Sequence, residues 1–369
     1  MKIAMIGQKG IPSSEGGVER HVEEIATRLV KKGHEITVYC RSTYSEQAPP
    51  VYQGVDLSYI KTSKRKNFEA IIYTYRASID TLYRNFDIIH YHALGPASLS
   101  FIPEIFRKKV VITVHGLDWQ RDKWGRFAKL YLKVGEHVSA RFPDKIIVVS
   151  ENLRDYYLHK YVINSVDIVH IPNGVNVNTP KESNLIKTYG LASDNYILFL
   201  ARLVPEKGAH YLIQAYNEMK TDKKLVIAGG SSHTDSYVKS LISDANNENI
   251  IFTGNVHGEL LEELFSNAYV YVLPSDIEGM PLTLLEAMSY ARCCLVSDIP
   301  ENMEVIKRDC GFSFKKSNPD DLKAVLLYLL SNQAIVKGTG VKAYEKVMKL
   351  YNWDSVAEKT EKVYLDLLN

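Results

Sequence analysis

Ser275-Asp-Ile-Glu-Gly-Met-Pro-Leu-Thr-Leu-Leu-Glu-Ala-Met-Ser-Tyr-Ala-Arg-Cys-Cys-Leu-Val-Ser297 decides the reading of this chain. The apolar run before it, 270–273, reads as a buried strand that stops at Pro274. A loop follows with Glu278, and Pro281 suits the first turn of a helix. Glu286 lies inside that helix, about a turn and a half along. One carboxylate therefore precedes a helix N-terminus and the second sits within the helix. The first amides of a helix have no intrahelical acceptor, so they favour an anion or a hydroxyl-rich ligand. Open parallel sheets hold such ligands at the carboxyl ends of their strands. Glu278 taken alone reads equally well as a solvated loop residue.

Working outward, the segment is one unit of a repeating scheme. Strands read at 3–6, 35–39, 88–90, 110–114 and 145–149, with helices at 17–32, around 123–139 and at 152–160. The second half starts again. Its strands read at 197–200, 224–228, 250–252, 269–273 and 294–296, with helices at 209–219, 259–267 and 282–290. Two such arrays in succession predict an α/β protein of two doubly wound domains. A length of 369 residues agrees with two domains. The breaker cluster Ile-Pro-Asn-Gly-Val-Asn at 171–176 marks the boundary. The last helix, 353–368, is amphipathic.

Composition limits the function classes. With 46% hydrophobic and 24% charged residues the chain can bury two cores. No apolar run approaches a membrane span, and the N-terminus lacks a signal-peptide pattern. The four cysteines, Cys40, Cys293, Cys294 and Cys310, form no C-x-x-C pair and read as buried thiols in a reducing compartment. Charge is uneven. Residues 1–175 hold 25 Lys and Arg against 18 Asp and Glu, a net +7, and the rest carries −5. The basic half predicts a negative partner, either a phosphate-bearing acceptor or an anionic membrane surface. Lys61, Lys64, Arg65 and Lys66 form one positive run, Arg107, Lys108 and Lys109 a second. Arg121, Lys123, Trp124, Arg126, Phe127 and Lys129 interleave charge with aromatics. No nucleic-acid-reading motif accompanies them.

Three further loops offer chemistry. Ala-Arg-Leu-Val-Pro-Glu-Lys-Gly, 201–208, follows the first strand of the second half. It sets Arg202 and Lys207 near a helix N-terminus, where both charges and the helix dipole favour a diphosphate. A solvated basic loop is the bland alternative. Residues 7–17, Gly-Gln-Lys-Gly-Ile-Pro-Ser-Ser-Glu-Gly-Gly, join the first strand to the first helix. Gly16 and Gly17 allow close backbone approach to a ligand. The G-x-G-x-x-G dinucleotide fingerprint is missing, and the second strand ends at Cys40-Arg41 instead of an acid. A nicotinamide cofactor is thereby weakened, although Arg41 is compatible with a 2′-phosphate. His115 ends a strand in Thr-Val-His-Gly-Leu-Asp-Trp, opening toward the ligand edge or serving structure alone. No D-x-D pair, zinc spacing, Walker loop or nucleophile elbow occurs.

The 278–286 segment resembles the glutamate-x7-glutamate signature of retaining GT-B glycosyltransferases, in particular glycosyltransferase family 4. The loop 201–208 resembles that family's R-x-x-x-x-K-G element. Residues 115–124 resemble the H-G-L-D-W-x-R-x-K-W segment of its bacterial polysaccharide and rhamnosyltransferase-like members. The resemblance implies two Rossmann-like domains facing across a cleft. Residues 1–173 would form the acceptor side, with the helix at 353–369 packing back on it, and 174–352 the donor domain. It implies that Glu278, Arg202, Lys207 and His115 form the catalytic set. Gly16, Gly17, Asn173, Val256, Gly279, Met280, Pro281, Leu282 and Glu286 would bind the donor, with Glu286 on the ribose hydroxyls. Asp118, Trp119, Arg121 and Trp124 would meet the acceptor. One departure is local: where the family has Gly and then Pro after E-A-M-x-x, this chain has Ala291 and Cys293.

The implied reaction moves a sugar, with retention, from a nucleotide-diphosphate sugar, UDP favoured, to a hydroxyl of a glycan or lipid-linked acceptor. It belongs to cell-envelope polysaccharide biosynthesis and uses neither metal nor other cofactor. The expected place is the cytoplasm, peripherally at the inner membrane face through residues 1–175. A nucleotide-sugar epimerase on the same fold and a non-catalytic sugar-nucleotide sensor are the alternatives.

Overall fold

Short β-branched runs and intervening helices build two open sheets. The computed structural model describes residues 1–369 apart from 14–15, 45–48, 63–65, 122–123 and 232–233. The chain divides into two compact units, Met1–Gly174 with Trp353–Asn369, and Val175–Asn352. The division falls inside the Pro/Asn/Gly stretch at 171–176.

In the first unit the described strands are β1 (Lys2–Ile6), β2 (Glu35–Arg41), β3 (Val51–Tyr52), β4 (Val55–Ile60), β5 (Ile88–His92), β6 (Lys109–Val114), β7 (Lys145–Val148) and β8 (Ile168–His170). They lie in the order β3-β4-β2-β1-β5-β6-β7-β8. All pairs are parallel except the β3–β4 hairpin. Ile3 to Ile6 are fully buried, as a parallel strand covered on both faces requires. Helix Trp353–Leu368 belongs to this unit. It pairs with helix Gly17–Lys31 through Arg28–Asp354 at 2.7 Å, and Glu361 meets Lys32 and His34.

The second unit holds β9 (Tyr196–Leu200), β10 (Lys224–Ala228), β11 (Ile250–Gly254), β12 (Val270–Leu273), β13 (Cys293–Ser297) and β14 (Phe312–Phe314). Their order is β11-β10-β9-β12-β13-β14, parallel throughout. Within each unit the first strand lies between the second and a much later one. The winding reverses there, which makes the carboxyl ends beside β1 and β9 the places where ligands bind such sheets. All four cysteines are free and buried.

Several elements differ from the sequence reading. Strands β3, β8 and β14, of two or three residues each, escape it, and so does the six-residue β4 between β3 and β2. Helix Lys66–Tyr83 escapes it as well. Its Ile71-Ile72-Tyr73-Thr74-Tyr75 core favours strand, and tertiary packing overrides that preference. The helix expected around 123–139 runs from Arg126 to Arg141. Pro281 caps its helix instead of occupying the first turn, so Leu282 is the first helical residue.

Candidate active site

Four loops meet at the carboxyl edge of the second sheet. The chain leaves β9 through Arg202, makes the short 3-10 turn Pro205–Lys207, and enters helix Ala209–Asn217 at Gly208, φ +71°. A Cβ on Gly208 would stand 2.0 Å from the Pro274 carbonyl oxygen. Only glycine satisfies both that φ and that approach. The contact presses the β9 loop against the β12 loop, where the Asp276 amide donates to the Glu206 carbonyl at 2.9 Å. Lys207 Nζ then donates to Glu278 Oε1 at 2.5 Å, both side chains largely covered. The fold thus joins two expected site residues from separate motifs. Gly279 and Met280, next in the chain, are buried.

Glu286 lies half-buried in helix Leu282–Ser289, between the buried Leu285 and Ala287. The Tyr271 hydroxyl of β12 donates to Thr283 Oγ1 at 2.8 Å, tying this helix to its strand. Burial pushes the Tyr271 hydroxyl pKa well above its ordinary value, and the charges of Glu278 and Glu286 add to the shift. Val256 follows β11 and is buried. Sequence reasoning does not single out Gly229 and Gly230. A Cβ on Gly229 would stand 1.9 Å from the Ala201 carbonyl oxygen, so the β10 exit fits flush against the Arg202 loop. A Gly-Gly pair directly after a strand is the signal.

The first sheet has a corresponding edge. Gly7, φ +129°, ends β1 with its Cα against the His92 carbonyl of β5. The glycine loop is tied back to its helix by two carboxylates. Glu19 Oε1 accepts the Lys9 amide at 3.0 Å, and Glu23 Oε2 accepts the Ser13 amide at 2.8 Å. Gly16 caps helix Gly17–Lys31 and both glycines are exposed.

His115, just past β6, joins two histidines that the sequence reading does not name. His92 Nδ1 and His115 Nε2 lie 3.3 Å apart, and the His21 and His115 ring centroids 4.6 Å apart. His21 Nδ1 donates to Asn173 Oδ1 at 2.8 Å. Burial lowers the pKa of His21 to about 4. Burial likewise holds His92 and His115 well below the usual histidine range, with their imidazole neighbours adding to it. Neutral rings keep a lone pair available at neutral pH. A His-x-His pair at a strand end is the sequence signal for His92.

The segment 118–124 divides in role. Asp118 and Arg121 pair with each other at 3.4 Å. Trp119 donates its indole N–H to Glu136 Oε2 at 2.6 Å, so its polar edge is turned inward. Trp124 is exposed. Glu136 is fully buried and accepts from Tyr156, Tyr161 and Lys160 as well, at 2.9, 2.7 and 2.7 Å. Burial alone would raise its pKa, but these four donations together hold the carboxyl below its usual range.

The basic runs 107–109 and 121–129 do not share one edge of the sheet. Lys109 opens β6, whereas residues 115–124 follow its end. The run 107–109 is therefore at the amino edge of the sheet, opposite the 121–129 run. Lys64, Arg65 and Lys123 lie outside the described residues.

Comparison with known proteins agrees with this architecture. The model of the family described as glycosyltransferase family 4 matches residues 15–179. The model described as glycosyl transferases group 1 matches 182–346. An uncharacterized glycosyltransferase of Methanocaldococcus jannaschii is 27% identical over 99% of this chain and 98% of its own. Among solved structures, sucrose-phosphate synthase from Thermosynechococcus elongatus superposes with a TM-score of 0.84 at 21% identity, covering 100% and 99% of the two chains. HepE of Anabaena, in complex with UDP and glucose, gives 0.81 at 16%, covering 99% and 100%. The chain is a glycosyltransferase of the GT-B fold and belongs to glycosyltransferase family 4.

Proposed function

We propose that this glycosyltransferase moves a sugar from a nucleotide-diphosphate sugar to a hydroxyl of a glycan or lipid-linked acceptor, with retention of anomeric configuration. The observation that carries the reading is the Lys207–Glu278 pair, set by Gly208 against Pro274 at the switch point of the second sheet. Arg202 and Lys207 stabilise the departing diphosphate, a task that otherwise falls to a metal held by paired aspartates. The pyrophosphate step therefore needs no metal. Glu278 and the amides of Gly279 to Leu282 take the donor sugar. Glu286, one helical stretch further, takes the ribose. Gly16, Gly17, Asn173, Val256 and His115 complete the donor contacts. Among the acceptor residues, the exposed Trp124 offers a surface for a sugar, whereas Lys133 and Lys160 lie over the Trp119 ring at 4.8 and 5.8 Å from its centroid. UDP is the proposed nucleotide, the one held in the HepE complex.

Two variants test the assignment. Glu286→Ala weakens nucleotide binding in titration calorimetry, and unchanged UDP affinity would remove the ribose role. Lys207→Ala lowers turnover about a hundred- to a thousandfold, the cost of losing one preorganised transition-state contact. Near-normal turnover would sink that role. The diphosphate sugar is first chosen by thermal shift against UDP-, GDP- and dTDP-sugars. A linked-sugar product, in place of an isomerised donor, separates transfer from epimerisation.

A lipid-linked acceptor, made at the inner face of the cytoplasmic membrane for the cell envelope, suits one further feature. Helix Arg126–Arg141 leaves Phe127, Leu130 and Val134 exposed by 90%, 61% and 49%. They recur at i, i+3 and i+7, one helical stripe, beside the exposed Arg126 and Lys133. Among the described residues no helix is long and apolar enough to cross a membrane. The stripe would rest on an anionic bilayer. Co-sedimentation with anionic vesicles at low salt, lost in Phe127→Ser/Leu130→Ser, is the expected result. Recovery in the supernatant with anionic and neutral vesicles alike would refute it.

A further inference from the structure

We propose that His21, His92 and His115 form a binding site for one borderline transition-metal ion, with Zn2+ the best match. One ring nitrogen from each residue lies within 4.8 Å of one from each of the others. The closest pair, His92 Nδ1 and His115 Nε2, is 3.3 Å apart. Two nitrogens about 2.0–2.1 Å from a tetrahedral zinc ion are separated by roughly 3.4 Å. That pair therefore already stands at ligand spacing, and the third ring needs to close by no more than about 1.4 Å.

The His21 tautomer is prepared for ligation. Its Nδ1–H is committed to Asn173 Oδ1, which leaves the Nε2 lone pair to ligate. Nε2 is buried and has no hydrogen-bond partner. An imidazole whose far N–H is held by an oxygen acceptor is the usual arrangement around a bound zinc ion. His92 Nε2 is likewise buried without a partner, and it is where the His92 proton resides once Nδ1 ligates. Three separate elements hold the rings: His21 in helix Gly17–Lys31, His92 at the end of β5, His115 just after β6. His115 is partly buried while the other two are fully buried, so the fourth ligand position faces its side. Three neutral imidazoles with an open position suit Zn2+, Co2+, Ni2+ or Cu2+ and not the oxygen-seeking Mg2+.

All three histidines and Asn173 belong to the first unit, whereas Arg202 and Lys207 belong to the second. One consequence rests on the function proposed above: an ion on the His115 nitrogen takes the group assigned to the donor sugar, so ion and donor oppose each other. Binding itself is tested without any sugar nucleotide. The chelator-stripped full chain is titrated with Zn2+ in calorimetry, and with Co2+ while its d–d absorption is recorded. One ion per chain and a tetrahedral Co2+ spectrum are expected. His21→Gln and His92→Gln should abolish both signals. Asn173→Ala keeps all three rings and should weaken affinity about 10–100-fold. His159→Ala, on an exposed helix end, should change nothing. Circular dichroism checks that each variant folds, and Asn173→Ala decides the matter if a histidine variant does not. No bound ion, an octahedral spectrum, or binding indifferent to His21, His92 and Asn173 would overturn the site. Zn2+ binding that leaves turnover untouched would keep the metal site and remove His115 from the donor contacts.

Discussion

Ala291 ends helix Leu282–Ser289 in left-handed backbone, φ +55°, where the family's usual glycine is replaced. An L-side chain there costs roughly 1–2 kcal/mol, part of which glycine returns as unfolded-state entropy. Ala291→Gly is therefore expected to stabilise the second unit by about 0.5–1 kcal/mol, read as a higher thermal midpoint with unchanged nucleotide affinity. A lower midpoint would mean that the alanine methyl contributes packing worth more than the strain. The opposite substitution is closed at Gly208, where the Pro274 carbonyl leaves no room for a methyl. At this scale the sequence names Arg202, Lys207, Glu278 and Glu286 by motif. It does not reveal that Lys207 Nζ rests on Glu278, because that contact spans 71 residues. His21 and His92 escape for the same reason. Each lies in an ordinary helix or strand context, and only three separate chain segments brought to one edge make a cluster.

Among the elements, the segment 118–124 shows how a loop is held by a distant carboxylate. The 3-10 turn Asp118–Gln120 has no capping side chain of its own. Glu136, on the following helix, takes Trp119 and is itself secured by Lys160 at 2.7 Å and two tyrosines. Lys160 is 43% exposed, so solvent screens its share of the pairing. Glu136→Gln, which removes the charge but keeps the shape, should cost about 1–3 kcal/mol. The pH dependence has a definite sign. The folded carboxyl is held below its unfolded value, so its contribution is complete above about pH 4.3 and fades as pH falls further. The stability gap between wild type and Glu136→Gln, followed by urea unfolding, should therefore close in acid. A gap independent of pH would show that the carboxylate's ionisation does not matter. Glu136 is invisible in sequence as a hub, since its four donors come from residues 119, 156, 160 and 161. The alternation of strand and helix, by contrast, is legible wherever strands are central and apolar. It fails at helix Lys66–Tyr83, where local preference and tertiary outcome disagree, and it passes over β3 and β4, although Val55, Leu57 and Tyr59 alternate as a strand should.

For the whole molecule, the telling feature is that the chain's last helix belongs to its first unit. Tyr364 buries its hydroxyl against His90 Nδ1 at 2.6 Å, and His90 Nε2 meets Thr113 at 2.7 Å. Gly174 lies so close to Trp353 that a Cβ would come within 2.7 Å. Tyr364→Phe leaves the buried His90 nitrogen without a partner and should cost about 1–3 kcal/mol. The loss should appear in the first unit's unfolding, while UDP still raises the melting of the second. Equal loss in both units would show that they unfold together. Sequence alone determined the α/β class, the two successive arrays, the family and the order of its motifs. Each of these is written in local pattern: apolar periodicity, breaker residues and spacings within one loop. Only the tertiary structure decided which loops share an edge, that Gly208 and Gly229 let them close up, that basic runs fall at opposite ends of β6, and that three histidines converge. Those facts depend on strand order, and in a doubly wound sheet strand order is set by long-range pairing instead of by neighbours in the chain.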